Sequence, residues 1–91
     1  MLRANDNDPV VLALSALAET LRDERRAQRF LDLTGIGTEE LKRRASEPML
    51  LTALLRFLEA HEPDLLSVAE AVGVTPEELV RARFRLEEGQ A

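Results

Sequence analysis

Each of the four prolines in this chain follows a polar residue and stands at the head of a helix-forming run: Asp8-Pro9, Glu47-Pro48, Glu62-Pro63 and Thr75-Pro76. Proline has no backbone N–H and a φ fixed near the helical value, so it suits the first turn of a helix and breaks one in its interior. Glycines mark the opposite ends, with Gly35, Gly73 and Gly89 each following a helical run. A chain of 91 residues cut in this way has room for short helices and tight corners. No segment alternates apolar and polar residues over strand length, so the expected fold is all-α, a compact bundle of five to six short helices.

The apolar spacing places the elements. The first helix is expected over residues 9–22, with Asp8 as its cap and Val10, Leu14, Leu17 and Leu21 on its buried face. A second, over 24–33, carries Ala27, Phe30 and Leu31 on one side and ends at Gly35. A brief third covers 38–45. The fourth, over 49–60 with Pro48 in its first turn, is apolar except for a stripe of Thr52, Arg56 and Glu59, which predicts a position at the centre of the domain. The fifth runs from Pro63 to Gly73. The sixth starts at "TPEE", where Thr75 and Glu78 form a capping box, and runs to Glu88.

The expected organisation is a flexible lead-in over 1–8, a single helical domain over 9–88, and a flexible end over 89–91. The expected core is Leu14, Leu17, Leu21, Phe30, Leu31, Ile36, Leu41, Leu50, Leu51, Leu54, Phe57, Leu58, Leu65, Leu66, Ala69, Val72, Val74, Leu79 and Leu86.

The corner around Gly73, within "LLSVAEAVGVTPEELVRARF", has the spacing of a DNA-binding helix-turn-helix. The helix that would read bases begins with Glu77 and Glu78, and two carboxylates there face a wall of phosphates. The net charge of −5 also disfavours nucleic-acid or anionic membrane partners. A structural corner is the preferred reading, and specific DNA binding is not expected. "GIGTEELKR" (35–43) and "GVTPEELVR" (73–81) align without gaps at an offset of 38, as two helix–Gly–helix corners with the same needs would.

Positive charge is concentrated at Arg22, Arg25, Arg26 and Arg29, which share one face if the first two helices run on without a break. Lys42, Arg43 and Arg44 follow, while residues 45–91 hold most of the acid. The arginine face is the candidate interaction face, suited to an acidic partner or an RNA; its plain alternative is a solvated surface laced with ion pairs.

Other chemistries lack their parts. His61, the single histidine, is placed in the last turn of the fourth helix, with no second histidine at ligand spacing. "NDND" (5–8) lacks the glycine and closing glutamate of a calcium loop. Ser15, Ser46 and Ser67 have no nucleophile motif and "GIG" is no phosphate loop, so neither catalysis, a cofactor nor a metal is expected. The absence of cysteine suits a reducing cytoplasm, and no run approaches the length of a membrane span.

From Arg29 onward the chain resembles a small alphaproteobacterial domain family of unknown function. The resemblance rests on Arg29, Phe30, Leu31, Thr34, Gly35, Leu41, Ala45, Pro48, Leu54, Leu55, Phe57, Leu58, Glu62, Leu65, Ala69, Gly73 and Pro76. It covers about residues 10–86 and departs from the family pattern at Met49–Leu50 and at Val68, where phenylalanine is usual. It implies an all-helical fold in a bacterial cytoplasm, and no activity, cofactor or partner. Arg29 and Glu62 are its polar exceptions. The function expected is that of a non-catalytic protein-interaction module, with homo-oligomerisation open; the alternative is a nucleic-acid-associated regulator using the Gly73 corner or the arginine face.

Overall fold

Six helices follow one another with short connections in the computed structural model, which describes residues 8–90: α1 (Pro9–Arg22), α2 (Glu24–Thr34), α3 (Thr38–Arg44), α4 (Pro48–Glu59), α5 (Glu62–Val72) and α6 (Pro76–Gln90). Among the described residues there is no strand. The expected lead-in lies outside the described residues except for Asp8, as does most of "NDND" and residue 91.

The punctuation acts as the sequence predicts. The Asp8 carboxylate accepts from the Val10 amide at 2.9 Å, satisfying an N–H that the first turn leaves without a partner. Thr75 and Glu78 cap each other reciprocally. The Thr75 amide donates to Glu78 Oε1 at 2.8 Å, and the Glu78 amide to Thr75 Oγ1 at 3.1 Å. Gly35 and Gly73 are left-handed, with φ of 73° and 91°. At Gly73 the amide of Val74 donates to the carbonyl of Ala69 and that of Gly73 to Glu70, closing a Schellman turn.

One hydrophobic cluster fills the bundle. α4 supplies Leu50, Leu51, Leu54, Leu55, Phe57 and Leu58, all buried, and so occupies the centre. α1 and α6 pack against it and against each other. Phe30 from α2 meets Phe57 edge to face, ring centroids 5.4 Å apart. Two threonines are buried without cost because each hydroxyl donates to the carbonyl one turn back, Thr20 to Ala16 and Thr52 to Pro48.

Several expectations are corrected. α1 buries Ala13, Ala16, Leu17 and Thr20 rather than the face of Val10, Leu14, Leu17 and Leu21; Leu21 is exposed, and Val10 and Leu14 are half-buried. Leu66 is also exposed. Leu31, Ile36, Leu65, Val72 and Val74 pack on the core from partly open positions, while Leu55, Val68 and Ala82 belong to it. α6 does not stop at Glu88 but continues through Gly89 to Gln90. His61 is outside α4: its backbone is extended, φ −140° and ψ 94°, and it is the N-cap position of α5.

The sequence echo reaches well beyond the corner. α2 and α5 begin 38 residues apart, as do α3 and α6. Every buried residue of the first three helices has a buried counterpart at that offset: Ala13 with Leu51, Ala16 with Leu54, Leu17 with Leu55, Thr20 with Leu58, Phe30 with Val68 and Leu41 with Leu79. The two halves are variants of one three-helix plan. They differ in their third helix, seven residues long in α3 and fifteen in α6.

Leu54→Ala is expected to lower stability by about 2–5 kcal/mol, the cost of a cavity around a deleted core leucine, measured as a shift in denaturation midpoint. Alanine at Gly35 or Gly73 is expected to cost about 1 kcal/mol, because neither φ suits a Cβ even though the space around it is open. Gly37 has φ −81° and tolerates alanine better, so its melting shift is the smallest of the three.

Candidate interaction face

The arginine face is not continuous. α1 stops at Arg22 because Asp23 leaves the helical conformation, with φ −101° and ψ 117°, to cap α2 through its carboxylate and the Arg26 amide at 3.0 Å. That hydrogen bond holds the Asp23 carboxyl below its ordinary pKa. The break sends the four guanidinium groups to different places. Arg22, on the end of α1, sits 3.7 Å from Glu19. Arg26 turns inward, and its Nη2 donates to the carbonyl of Glu19 at 2.9 Å. Arg29 reaches across to α5, pairs with Asp64 and lies 5.5 Å over the Phe57 ring. Arg25 stays on the surface. Thus Arg25, Arg26 and Arg29 meet His61, Asp23 and Asp64 around one shallow depression, and Arg22 stands apart. The carboxylate opposite Arg29 is Asp64, while Glu62 is exposed in the first turn of α5.

A second set of charges went unread in the sequence. Arg83 on α6 makes a two-pronged contact with Glu59 on α4, Nε to Oε2 at 2.6 Å and Nη2 to Oε1 at 3.0 Å, and its Nη1 also donates to Glu87. Glu87 pairs in turn with Arg56. The polar stripe of α4 is therefore the seam along which the far half of α6 is bound. The Glu59 hydrogen bonds raise the Arg83 pKa. Burial opposes ionisation of Glu87, but the hydrogen bonds from Arg83 and Arg56 outweigh it and hold the carboxyl below its ordinary value.

An apolar groove lies open in the first half, while Met49, Leu66 and Phe84 are exposed elsewhere. Leu17 and Leu21 of α1, Ala27 and Leu31 of α2, Leu41 in the middle of α3 and Ala45 just past its end line the groove, with Lys42 at its border. It continues past Leu21, Ala27 and Leu31 into a depression edged by Arg25, Glu24 and Gln28. Lys42 is exposed, and its pairing with Glu39 is loose, at 3.8 Å. Sequence reasoning assigned Leu21 and Leu31 to the core and so missed the groove; the available signal was that α1 is apolar on more than one face. No helix of the described residues is long and apolar enough to cross a membrane.

The Glu87 carboxyl is lowered in the folded chain, so its contribution to stability is complete above the ordinary glutamate value of 4.5 and is lost as pH falls through the lower, folded value. Glu87→Gln is therefore expected to melt below the wild type at pH 7, with the two melting temperatures converging on acidification below about pH 4. A gap that persists unchanged in acid would remove the charge from this account.

No curated protein and no solved structure matches the chain. A family model described as "Protein of unknown function (DUF3572)" matches residues 6–89, almost the full length, and an all-helical chain of this pattern therefore belongs to that family.

Proposed function

We propose that this protein is a non-catalytic protein-interaction module, working in the cytoplasm of an alphaproteobacterium as the family resemblance implies. The observation that carries the reading is the groove between α1, α2 and α3, where exposed Leu21 and half-buried Ala27, Leu31 and Ala45 line an apolar surface floored by buried Leu17 and Leu41. Contiguous exposed apolar surface on a small domain is costly in water and marks places where another surface is received. The half-buried Leu31 and exposed Leu21 present the hydrocarbon; Arg25 and Lys42 border it with positive charge, and Glu24 with one negative.

A phosphate backbone is the poorer fit. Of the four arginines of α1 and α2, Arg26 and Arg29 already donate to protein oxygens, and Arg22 is beside Glu19. Affinity for nucleic acid grows with the number of phosphates neutralised, so so few uncommitted cations support only weak, salt-sensitive association.

Affinity capture on the full-length chain from a native lysate, with and without nuclease, tests the reading. A captured protein that survives nuclease treatment and is lost on charge reversal at Arg25 and Lys42 is the expected result. Capture that disappears with nuclease replaces this function with a nucleic-acid one.

A further inference from the structure

The offset of 38 that relates the two halves identifies what the groove lacks. Leu17, Leu21, Leu41 and Ala45 correspond to Leu55, Glu59, Leu79 and Arg83. In the second half Glu59 and Arg83 are in contact, and the far end of α6 lies over α4, burying Leu86. In the first half the chain turns after Arg44 into α4, so no helix continues α3. The α1 stripe of Val11, Leu14, Ala18 and Leu21 corresponds to Met49, Thr52, Arg56 and Glu59. Where Arg56 and Glu59 of α4 offer charged partners to α6, α1 has exposed Ala18 and Leu21.

We propose that the groove receives about two to three turns of an acidic amphipathic helix from a partner protein, seated on α1 as the far half of α6 is seated on α4. This rests on the interaction-module reading above and names its ligand. The helical form follows from the counterpart seam, which a helix fills. The apolar face follows from Leu17, Leu21 and Leu31, which line the groove. The acidic flanks follow from charge complementarity. The charged residues that line the groove and its continuation are Arg25, Lys42 and Glu24, a net positive border on a chain of net charge −5. The ligand is the helix-in-groove kind, in which a few anchors at helical spacing supply the affinity and the flanking charges select the partner.

The test uses the full-length chain and a synthetic sixteen-residue peptide, with leucines at i, i+3, i+7 and i+10 and glutamates elsewhere on its flanks. The first control peptide has lysine in place of every glutamate; the second has alanine in place of every leucine. Binding is read by fluorescence anisotropy and located by amide NMR shifts. The glutamate–leucine peptide is expected to bind and to shift amides of α1, α2 and α3, with each control at least ~10-fold weaker, the equivalent of one lost apolar anchor.

The decisive variant combines Leu21→Glu with Ala45→Arg, which copies the Glu59–Arg83 contact into the first half. It is expected to melt no lower than the wild type and to bind the peptide at least ~10-fold less tightly. A second variant, Arg25→Glu with Lys42→Glu, keeps the groove open, and it should weaken the glutamate peptide while strengthening the lysine one. Equal binding of the two charged peptides, undiminished binding by a folded Leu21→Glu/Ala45→Arg chain, or shifts confined to α4 and α6 would overturn the proposal. So would sedimentation showing that the unliganded chain dimerises through Leu21. If lysate capture persists with the Leu21→Glu/Ala45→Arg chain, the interaction module stands and this groove is not its site. If capture fails for the wild type as well, the module reading falls with it.

Discussion

Two helices of this chain, α1 and α4, are apolar around most of their circumference, and only one long helix, α6, is available to cover them. This shortage organises the molecule. The inner faces of α1 and α4 bury each other, and α6 packs against both. Its far half is then committed to α4, where Arg83 and Glu87 meet Glu59 and Arg56. Among the described residues no helix covers Ala18 and Leu21 of α1, which are exposed. α2 and α5 close the sides through Phe30, Val68 and Ala69. α3, with a single buried residue in Leu41, reaches only one end of the open surface. Hydrophobic burial thus fixes the centre, and the count of helices determines where coverage ends.

The elements were legible in the sequence because several boundaries carry their own local chemistry. Asp8, Thr75 with Glu78, and the left-handed Gly35 and Gly73 act on backbone groups within a few residues of themselves, so no knowledge of the tertiary fold was needed. The position of α4 was legible for a related reason, since one narrow polar stripe leaves few ways to orient a helix. The rotation of α1 was not. With apolar residues on several sides, the periodicity supports the face of Val10, Leu14 and Leu21 as well as that of Ala13, Ala16 and Thr20. The second face is inside because small residues there permit close approach to α4 and α6, a matter of shape between helices that spacing along one helix does not encode. Leu21 was assigned to the core by its spacing and Leu66 by its hydrophobicity, and exposed leucines are ordinary when neighbours run out.

Charges followed the same division. Those that cap their own helix were read correctly, but those that join helices were not. Arg83 faces inward to Glu59 on another helix, leaving 11% of its side chain exposed. Arg29 stood out as polar within an apolar pattern, yet its partner Asp64 lies 35 residues away, beyond any local rule. The supposed row of four arginines depended on α1 and α2 being one helix. A single residue, Asp23, ends that continuity by competing for the backbone N–H groups that a continuing helix would need.

The two halves use the same corner to different ends. After Gly35 and after Gly73 the chain turns, two glutamates begin the next helix, and a leucine closes on the core, Leu41 in one case and Leu79 in the other. Up to that leucine the halves are interchangeable in plan. Beyond it, the second continues as helix and places Ala82 and Leu86 in the core, while the first bends at Ala45 and Ser46 to begin α4. A difference of eight residues between α3 and α6 therefore converts a sealed seam into an open one. The side chains along the seam differ accordingly: Arg56 and Glu59 suit a helix held permanently within the chain, and Ala18 and Leu21 suit one that arrives from elsewhere. Charged seams impose a register and a partner, whereas hydrocarbon accepts any helix of the right width. An open apolar seam needs its selectivity from the border instead, and Arg25 and Lys42 are the residues placed to provide it.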